Sequence, residues 1–186
     1  MLRRVLIFAA AALGMAFASP LAAAVQDWAK GPPMVRGDTP CAFAENVMTA
    51  WLARDQKETP TFDDQPFKGS TIIYWKTKKP IDGIPPDLVA KWEASPGTSL
   101  LDACPAAGRR LTIPFATDQD RELVKHLGYG PLLVQFSAPF VSKSGDHILL
   151  EVRFKCPGLC GSGVVLHYRK TKGGWSRMPP AARYVS

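Results

Sequence analysis

Two cysteines close to the C-terminus are the residues of this chain whose type and spacing indicate most about its chemistry. Cys156 and Cys160 lie four positions apart, with Pro157 and Gly158 between them. A fully extended segment of five residues would hold its end Cα atoms more than ~10 Å apart, which is too far for a disulfide. Because a Pro-Gly pair favours a tight turn, the two sulfur atoms come within bonding distance. The spacing therefore predicts a structural disulfide between Cys156 and Cys160.

Three other kinds of site compete for the same cysteines. A metal site would add His167 as a third ligand, although zinc-binding cysteines usually stand closer together and oxidation competes with binding. A redox centre would need the C-x-x-C spacing that activates a thiol at the start of a helix. A phosphate-binding loop would use the amides of Gly158, Gly161 and Gly163, but no helix and no P-loop lysine follows. The disulfide is the favoured interpretation, and the sequence predicts no metal and no cofactor.

Side chains that could support hydrolysis are present without a recognisable catalytic pattern. Ser144, Asp146 and His147 are close in sequence, but they fall in and beside a predicted turn, where they would project in different directions. No G-x-S-x-G or H-E-x-x-H motif occurs. Two acidic pairs lie in loop-like or helix-start sequence, where solvated or capping carboxylates are usual. These pairs are Asp63-Asp64 and Asp118/Asp120. The catalytic residues stay unassigned.

Positive charge is concentrated in the C-terminal third of the chain. Residues 131–186 contain 8 Lys and Arg against 2 Asp and Glu, and the whole chain has a formal net charge of +7. If the strands predicted over 147–155 and 164–170 pair, the hairpin has one apolar and one basic face. The basic face would carry Arg153, Lys155, His167 and Arg169, opposite Leu150, Val152 and Phe154. Anion binding is one interpretation of this face, and a solvated surface relieved by Glu151 is the other.

The N-terminus has the features of a secretory signal peptide. A basic pair, Arg3-Arg4, precedes an apolar stretch that is too short to span a bilayer, and three alanines end at residue 24. A retained N-terminal anchor is the alternative. We therefore predict a periplasmic or secreted mature protein without a membrane span. The predicted divisions are a signal peptide over 1–24, a flexible lead-in over 25–38 and a single domain over 39–186.

Export affects the interpretation of both the cysteines and the charge. All four cysteines follow the predicted signal peptide, and an even count in an oxidising compartment favours two disulfides. With Cys156 joined to Cys160, the second disulfide would join Cys41 to Cys104. An exported protein rarely meets nucleic acid, so the predicted partner is an anionic envelope component or an acidic protein. Plain solubility is the other explanation of the positive charge.

Helix signals precede strand signals along the domain. Thr39 can cap a helix in which Phe43, Val47 and Trp51 recur every four residues. A strand is predicted from Ser70 to Trp75. Shorter helices are predicted over 88–94, around 100–104 and over 118–127, and four further strands over 132–137, 147–155, 164–170 and from Trp175. The sequence thus predicts an α+β fold, with helices packed on a C-terminal antiparallel meander of about four strands and with two disulfides.

The region around the cysteines resembles short exported bacterial proteins of uncharacterised function. Their pattern is a strand, a C-G-x-L-C-G-x-G-like corner, another strand, a Lys/Gly turn and a tryptophan. The matching residues are Cys156, Leu159, Cys160, Gly161, Gly163, Gly173, Gly174 and Trp175. Pro157 stands where that pattern more often has glycine. The resemblance covers roughly residues 131–180 and implies this kind of sheet, without an activity or site residues.

The function expected from these residues is non-catalytic. We expect an exported protein that binds an anionic ligand or partner through the basic sheet face. A small periplasmic hydrolase, with a site assembled from residues distant in sequence, is the alternative. The two differ in structure, because a hydrolase needs a concave site that contains a histidine or paired carboxylates.

Overall fold

The computed structural model describes residues 32–53, 59–65, 83–94, 97–127, 129–157 and 161–185, with the backbone alone described for 182–185. Its helices are α1 (Pro40–Leu52), α2 (Pro86–Ala94), α3 (Leu100–Ala103), α4 (Pro105–Gly108) and α5 (Asp118–Glu122), the last continuing as a π-helical turn over Leu123–Leu127. Its strands are β1 (Met34–Val35), β2 (Thr61–Phe62), β3 (Leu133–Phe136), β4 (Phe140–Val141), β5 (His147–Lys155), β6 (Ser162–Thr171), β7 (Gly174–Arg177) and β8 (Ala182–Val185). The predicted signal peptide and the strand predicted over 70–75 lie outside the described residues.

The described strands form one mixed sheet. Its order is β1-β7-β6-β5-β3-β2, with β4 beside β5 and β8 beside β6. All of the pairs are antiparallel except β2 with β3. The α+β class is confirmed, but the prediction of a four-stranded meander is wrong. The four predicted strands occur as β3, β5, β6 and β7, and strands of two to four residues extend them. Segments that short have no periodicity from which to predict them.

Helix α1 covers one face of the sheet, as its sequence indicates. The side chain of Thr39 accepts the N–H of Ala42 at 3.2 Å and caps the helix. The stripe that includes Phe43 and Val47 is buried. Trp51 packs on Phe154, with ring centroids 5.0 Å apart. The predicted cap and apolar stripe are confirmed, and this face forms the larger core.

The opposite face of the sheet is also covered. Leu88 and Trp92 of α2 pack against Leu149 of β5 and Val165 of β6. Seven consecutive residues of β5 are therefore buried, although its sequence alternates as in a strand with one solvated face. Alternation shows which residues share a face, but the cover on the second face comes from a helix more than 50 residues earlier in the chain.

One predicted disulfide is seen directly. Cys41 and Cys104 are bonded, with their Cα atoms 5.5 Å apart, and this bond joins the first turn of α1 to the end of α3. Cys156 is also disulfide-bonded. Its predicted partner, Cys160, lies outside the described residues, so that pairing stays a prediction.

The segment predicted as a lead-in contributes to the sheet. Met34 and Val35 form β1, which pairs with β7. The indole Nε1 of Trp175 donates to the carbonyl of Gly37 at 3.0 Å and holds this segment against β7. Gly174 is required where the two strands meet, because its φ is +125° and a Cβ there would lie 2.7 Å from the carbonyl oxygen of Val35. The end of the β6–β7 hairpin is thereby fixed next to β1.

Candidate functional site

The residues predicted to form a basic sheet face do lie on one face of β5 and β6. The strand register places Arg153, Lys155, His167 and Arg169 together on the face opposite to Leu150. Lys155 and Arg169 are exposed, whereas Arg153 and His167 have only 8% and 2% of their surface accessible. The expectation of one continuous exposed basic face is therefore wrong, because the middle of that face is covered.

Arg153 is held inside the protein by a short ion pair. Its Nε donates to Oε1 of Glu151 at 2.7 Å, and both side chains are buried. Residues two positions apart on a strand point to the same side, so the pair forms within β5. The sequence leaves either Glu151 or an external anion to offset the charge of this face. The structure assigns that role at Arg153 to Glu151.

Lys155 forms an ion pair with a carboxylate from a distant part of the chain. Its Nζ lies 3.3 Å from Oδ2 of Asp63, which is 92 residues earlier. Nε2 of Gln135 donates to the same oxygen at 2.8 Å, and Nε of Arg121 donates to Oδ1 at 2.8 Å. Asp63 is thus a buried carboxylate with donors from three elements of the fold, and Lys155 is one of them.

The acidic pairs considered as acid–base catalysts have structural contacts. Arg121 binds Asp63, Asp64 and Asp118, each at 2.8 Å. Asp120 accepts the backbone N–H of Thr117 and caps α5, and this hydrogen bond is the main reason that the pKa of its carboxyl lies below the usual range. Each of the four carboxylates has a partner that fixes a turn or a helix. These structural contacts explain the acidic residues without a catalytic role.

A cluster of hydroxyl, carboxylate and imidazole groups occupies the turn between β4 and β5. The hydroxyl of Ser144 donates to Oδ1 of Asp146, and the hydroxyl of Ser142 lies 3.2 Å from the same oxygen. Ser142 also accepts the N–H of His147 at 3.0 Å. The prediction that these side chains project in different directions is wrong. The arrangement of these groups is nevertheless unsuited to nucleophilic catalysis, because each serine hydroxyl contacts the Asp146 carboxylate and not an imidazole nitrogen.

Two histidines from neighbouring strands, which we call the histidine pair, meet beside this turn. Nδ1 of His147 lies 2.8 Å from Nε2 of His167, and the rings stack with centroids 5.1 Å apart. In this contact one nitrogen donates its proton to the other. Nε2 of His147 lies 3.9 Å from Oδ2 of Asp146 on the other side of the ring. Burial lowers the pKa of His167 to about 4, and the nearby His147 adds to this effect.

We expect the protein to lose stability as the pH falls from about 6.5 to about 4. The unfolded chain protonates His167 near its ordinary pKa of 6.5, whereas the folded protein does so only near 4. Between these values the unfolded state binds the proton and the folded state does not, so acidification favours unfolding. Since one pKa unit corresponds to about 1.4 kcal/mol, the expected loss after local rearrangement is roughly 2 kcal/mol.

Urea denaturation at several pH values measures this loss. In H167Q the dependence on pH should be flatter by about the same amount. The matched control is H126Q, which replaces an exposed histidine beside Glu122 and should retain the wild-type dependence. If H167Q and the wild type lose stability in parallel, His167 is not the group responsible.

Exposed cations cluster at the turn that joins β6 and β7. Arg169, Lys170 and Lys172, which we call the cationic hairpin, are exposed. Nζ of Lys170 lies 5.8 Å from the centre of the Trp175 ring. Within the described part of the chain, none of the three cations contacts a carboxylate. Because Arg169 pairs with His147 across the strands, the cationic hairpin adjoins the histidine pair.

The described residues contain neither a metal-binding cluster nor a membrane-spanning helix. No group of three or more His, Cys, Asp or Glu side chains in these ranges is arranged to hold a metal ion. No helix in the same ranges has both the length and the hydrophobicity to cross a bilayer.

Comparisons with protein-family descriptions, curated proteins and solved structures found no match to this chain.

Sequence reasoning missed the histidine pair and most of the cationic hairpin. His147 and His167 are 20 residues apart, and only the strand register makes them neighbours. A register counted outward from the cysteine corner would have placed His147 opposite Arg169 and close to His167. Lys170 and Lys172 do not belong to the predicted basic face, because Lys170 directly follows Arg169 on β6 and Lys172 lies in the turn between β6 and β7.

Proposed function

We propose that this chain is an exported, non-catalytic protein that binds an anionic partner through the cationic hairpin. The observation that carries the proposal is the presence of three exposed cations in four consecutive positions, Arg169 to Lys172, with no carboxylate contact among the described residues. Export rests on the signal-peptide features of residues 1–24. The partner class is an anionic envelope component or an acidic protein.

The distribution of charge favours binding over a general contribution to solubility. Two basic residues of the C-terminal third, Arg153 and Lys155, are offset by Glu151 and Asp63. The cationic hairpin therefore belongs to the positive charge of this region that these two ion pairs do not offset. Neighbouring like charges repel each other, and an anionic partner relieves this repulsion.

We also propose that Cys156 pairs with Cys160 and braces the opposite end of the β5–β6 hairpin. Two observations support it. Cys156 is disulfide-bonded, and Cys41 and Cys104 are bonded to each other. A brace at this end fixes the strand register that brings Arg169 beside His147.

The binding proposal predicts weaker retention when the cationic hairpin is neutralised. The variant R169S/K170S/K172S should elute from a sulfate-bearing matrix at lower salt than the wild type. Three surface contacts of about 0.5 kcal/mol each correspond to roughly a ten-fold loss of affinity. Elution in a salt gradient measures the change, and high salt should abolish the difference by screening.

The matched control removes three positive charges elsewhere. R109S/R110S/K125S changes exposed residues away from the β-hairpin and gives the same net charge. Its retention should stay close to that of the wild type. If both triple variants weaken retention equally, net charge is responsible and the proposed site is wrong.

A further inference from the structure

The cationic hairpin continues past the strand beside it. Arg169 of β6 pairs with His147, which is the first residue of β5, and β6 then runs on to Thr171. Residues 169–173 are all exposed. The turn between β6 and β7 is therefore a protruding edge at the end of the sheet. Such an edge can meet a flat surface without enclosing a small molecule.

An exposed methionine lies at the same end of the hairpin. Met34 of β1 pairs with Ser176 of β7, and Ser176 pairs with Arg169 of β6. Residues paired in this way share one face of the sheet. A Cβ placed on Gly173 would lie 3.7 Å from Sδ of Met34, so the thioether lies over the turn itself. Since Met34 is 55% exposed, an apolar group and the cations are presented together.

The strands at this end carry no carboxylate of their own. After Glu151 the chain contains no Asp or Glu, and β1 consists of Met34 and Val35. The carboxylate of Asp146, in the neighbouring turn, accepts hydrogen bonds from hydroxyls of its own turn. An anionic surface that approaches β6, β7 and β1 therefore meets cations of these strands without meeting an acidic side chain of the same strands.

We propose that the anionic partner of the cationic hairpin is the headgroup surface of a lipid bilayer, with Met34 inserted among the headgroups. This inference rests on the proposed function and names the partner class. The cations meet lipid phosphates, and the methionine side chain leaves water for the apolar boundary beneath them. A charged polysaccharide supplies negative charge but no apolar layer. A bilayer supplies both and needs no shaped pocket.

Charge selects this end of the molecule over other exposed apolar side chains. Leu127 and Tyr129 are 59% and 58% exposed, and single exposed apolar residues are common on soluble proteins. Leu127, however, ends the helical segment 118–127, which contains three carboxylates against two Lys and Arg. Anionic headgroups are repelled there and attracted at the cationic hairpin.

Co-sedimentation with lipid vesicles tests the inference. The wild type should bind vesicles of phosphatidylglycerol and phosphatidylcholine in equal amounts, and should bind phosphatidylcholine vesicles much more weakly. R169S/K170S/K172S should bind the mixed vesicles at least roughly ten-fold more weakly than the wild type. M34S should weaken binding roughly five-fold, because the exposed half of the methionine side chain no longer enters the apolar layer.

Three controls separate insertion from charge and from folding. M34L keeps an apolar side chain and should bind like the wild type. L127S removes an apolar side chain of nearly equal exposure and should leave binding unchanged. On the sulfate-bearing matrix, which has charge but no apolar layer, M34S should elute at the same salt concentration as the wild type. That result would also show that the hairpin of M34S is intact.

The outcomes distinguish this inference from the proposed function. If M34S binds the mixed vesicles as tightly as the wild type, or if L127S weakens binding as much as M34S, the inference is wrong. If the wild type does not bind these vesicles but the cationic hairpin still determines retention on the matrix, the partner is an acidic protein or a polysaccharide. The inference then fails while the proposed function stands. If R169S/K170S/K172S changes neither assay, the proposed function fails as well.

Discussion

Replacing Cys41 and Cys104 together with serine is expected to lower the free energy of unfolding by about 4 kcal/mol. The bond joins residues 63 positions apart, and removing a cross-link of this length returns about that much conformational entropy to the unfolded chain. Cys104 is buried in the same core that α1 packs against, so the loss also loosens the contact between α1 and α3. Since domains are stable by about 5–15 kcal/mol, the effect is large. Urea denaturation of C41S/C104S beside the wild type measures it.

The matched control is C156S/C160S. The proposed bond between Cys156 and Cys160 would close a ring of only about five residues, which restricts the unfolded chain much less, so its loss should cost about 2 kcal/mol. The ratio of the two effects tests the loop-length argument without depending on either absolute value. A larger loss for C156S/C160S than for C41S/C104S would contradict it.

Replacing Arg153 with methionine is expected to cost about 3 to 5 kcal/mol of stability. Methionine fills a similar volume, but it leaves the buried carboxylate of Glu151 without the guanidinium that donates to it at 2.7 Å. Removing one member of a buried ion pair costs far more stability than removing both members. Chemical denaturation of R153M at neutral pH measures the effect.

Two variants separate the charge effect from the effect of changing a side chain. In E151L/R153M both members of the buried pair are removed, so most of the stability should return. K172M makes a similar change at an exposed cation and should stay within about 0.5 kcal/mol of the wild type. If R153M resembles K172M, the ion pair has little effect on stability and Arg153 could act on external ligands after all.

Local patterns predicted the parts of the fold that local interactions determine. Thr39 and the four-residue spacing of Phe43, Val47 and Trp51 define α1, because both the cap and the stripe are formed within the helix. The alternation of β5 identified a strand in the same way. The two-residue strands β1 and β4 could not be found, because their pairing depends on the hairpins that they contact and not on their own sequence.

The exposure of the basic face could not be predicted for a related reason. Arg153, His167 and Arg169 share a face by alternation alone, and this part was correct. Whether that face is solvated depends on α2 and on Asp63, which approach it from far earlier in the chain. The proposed site therefore lies at the end of the hairpin, where the side chains of Arg169, Lys170 and Lys172 are exposed.

The bond between Cys41 and Cys104 also determines how the molecule responds to a broken backbone. The chain from residue 41 to residue 104 forms a closed ring, because its ends are joined through sulfur as well as through the peptide backbone. A single cut by a protease within this ring opens it but leaves one covalent molecule, with α1 still attached to the C-terminal sheet. In a compartment that contains proteases and no strong reductant, a nicked protein of this kind can keep its hairpin surface intact.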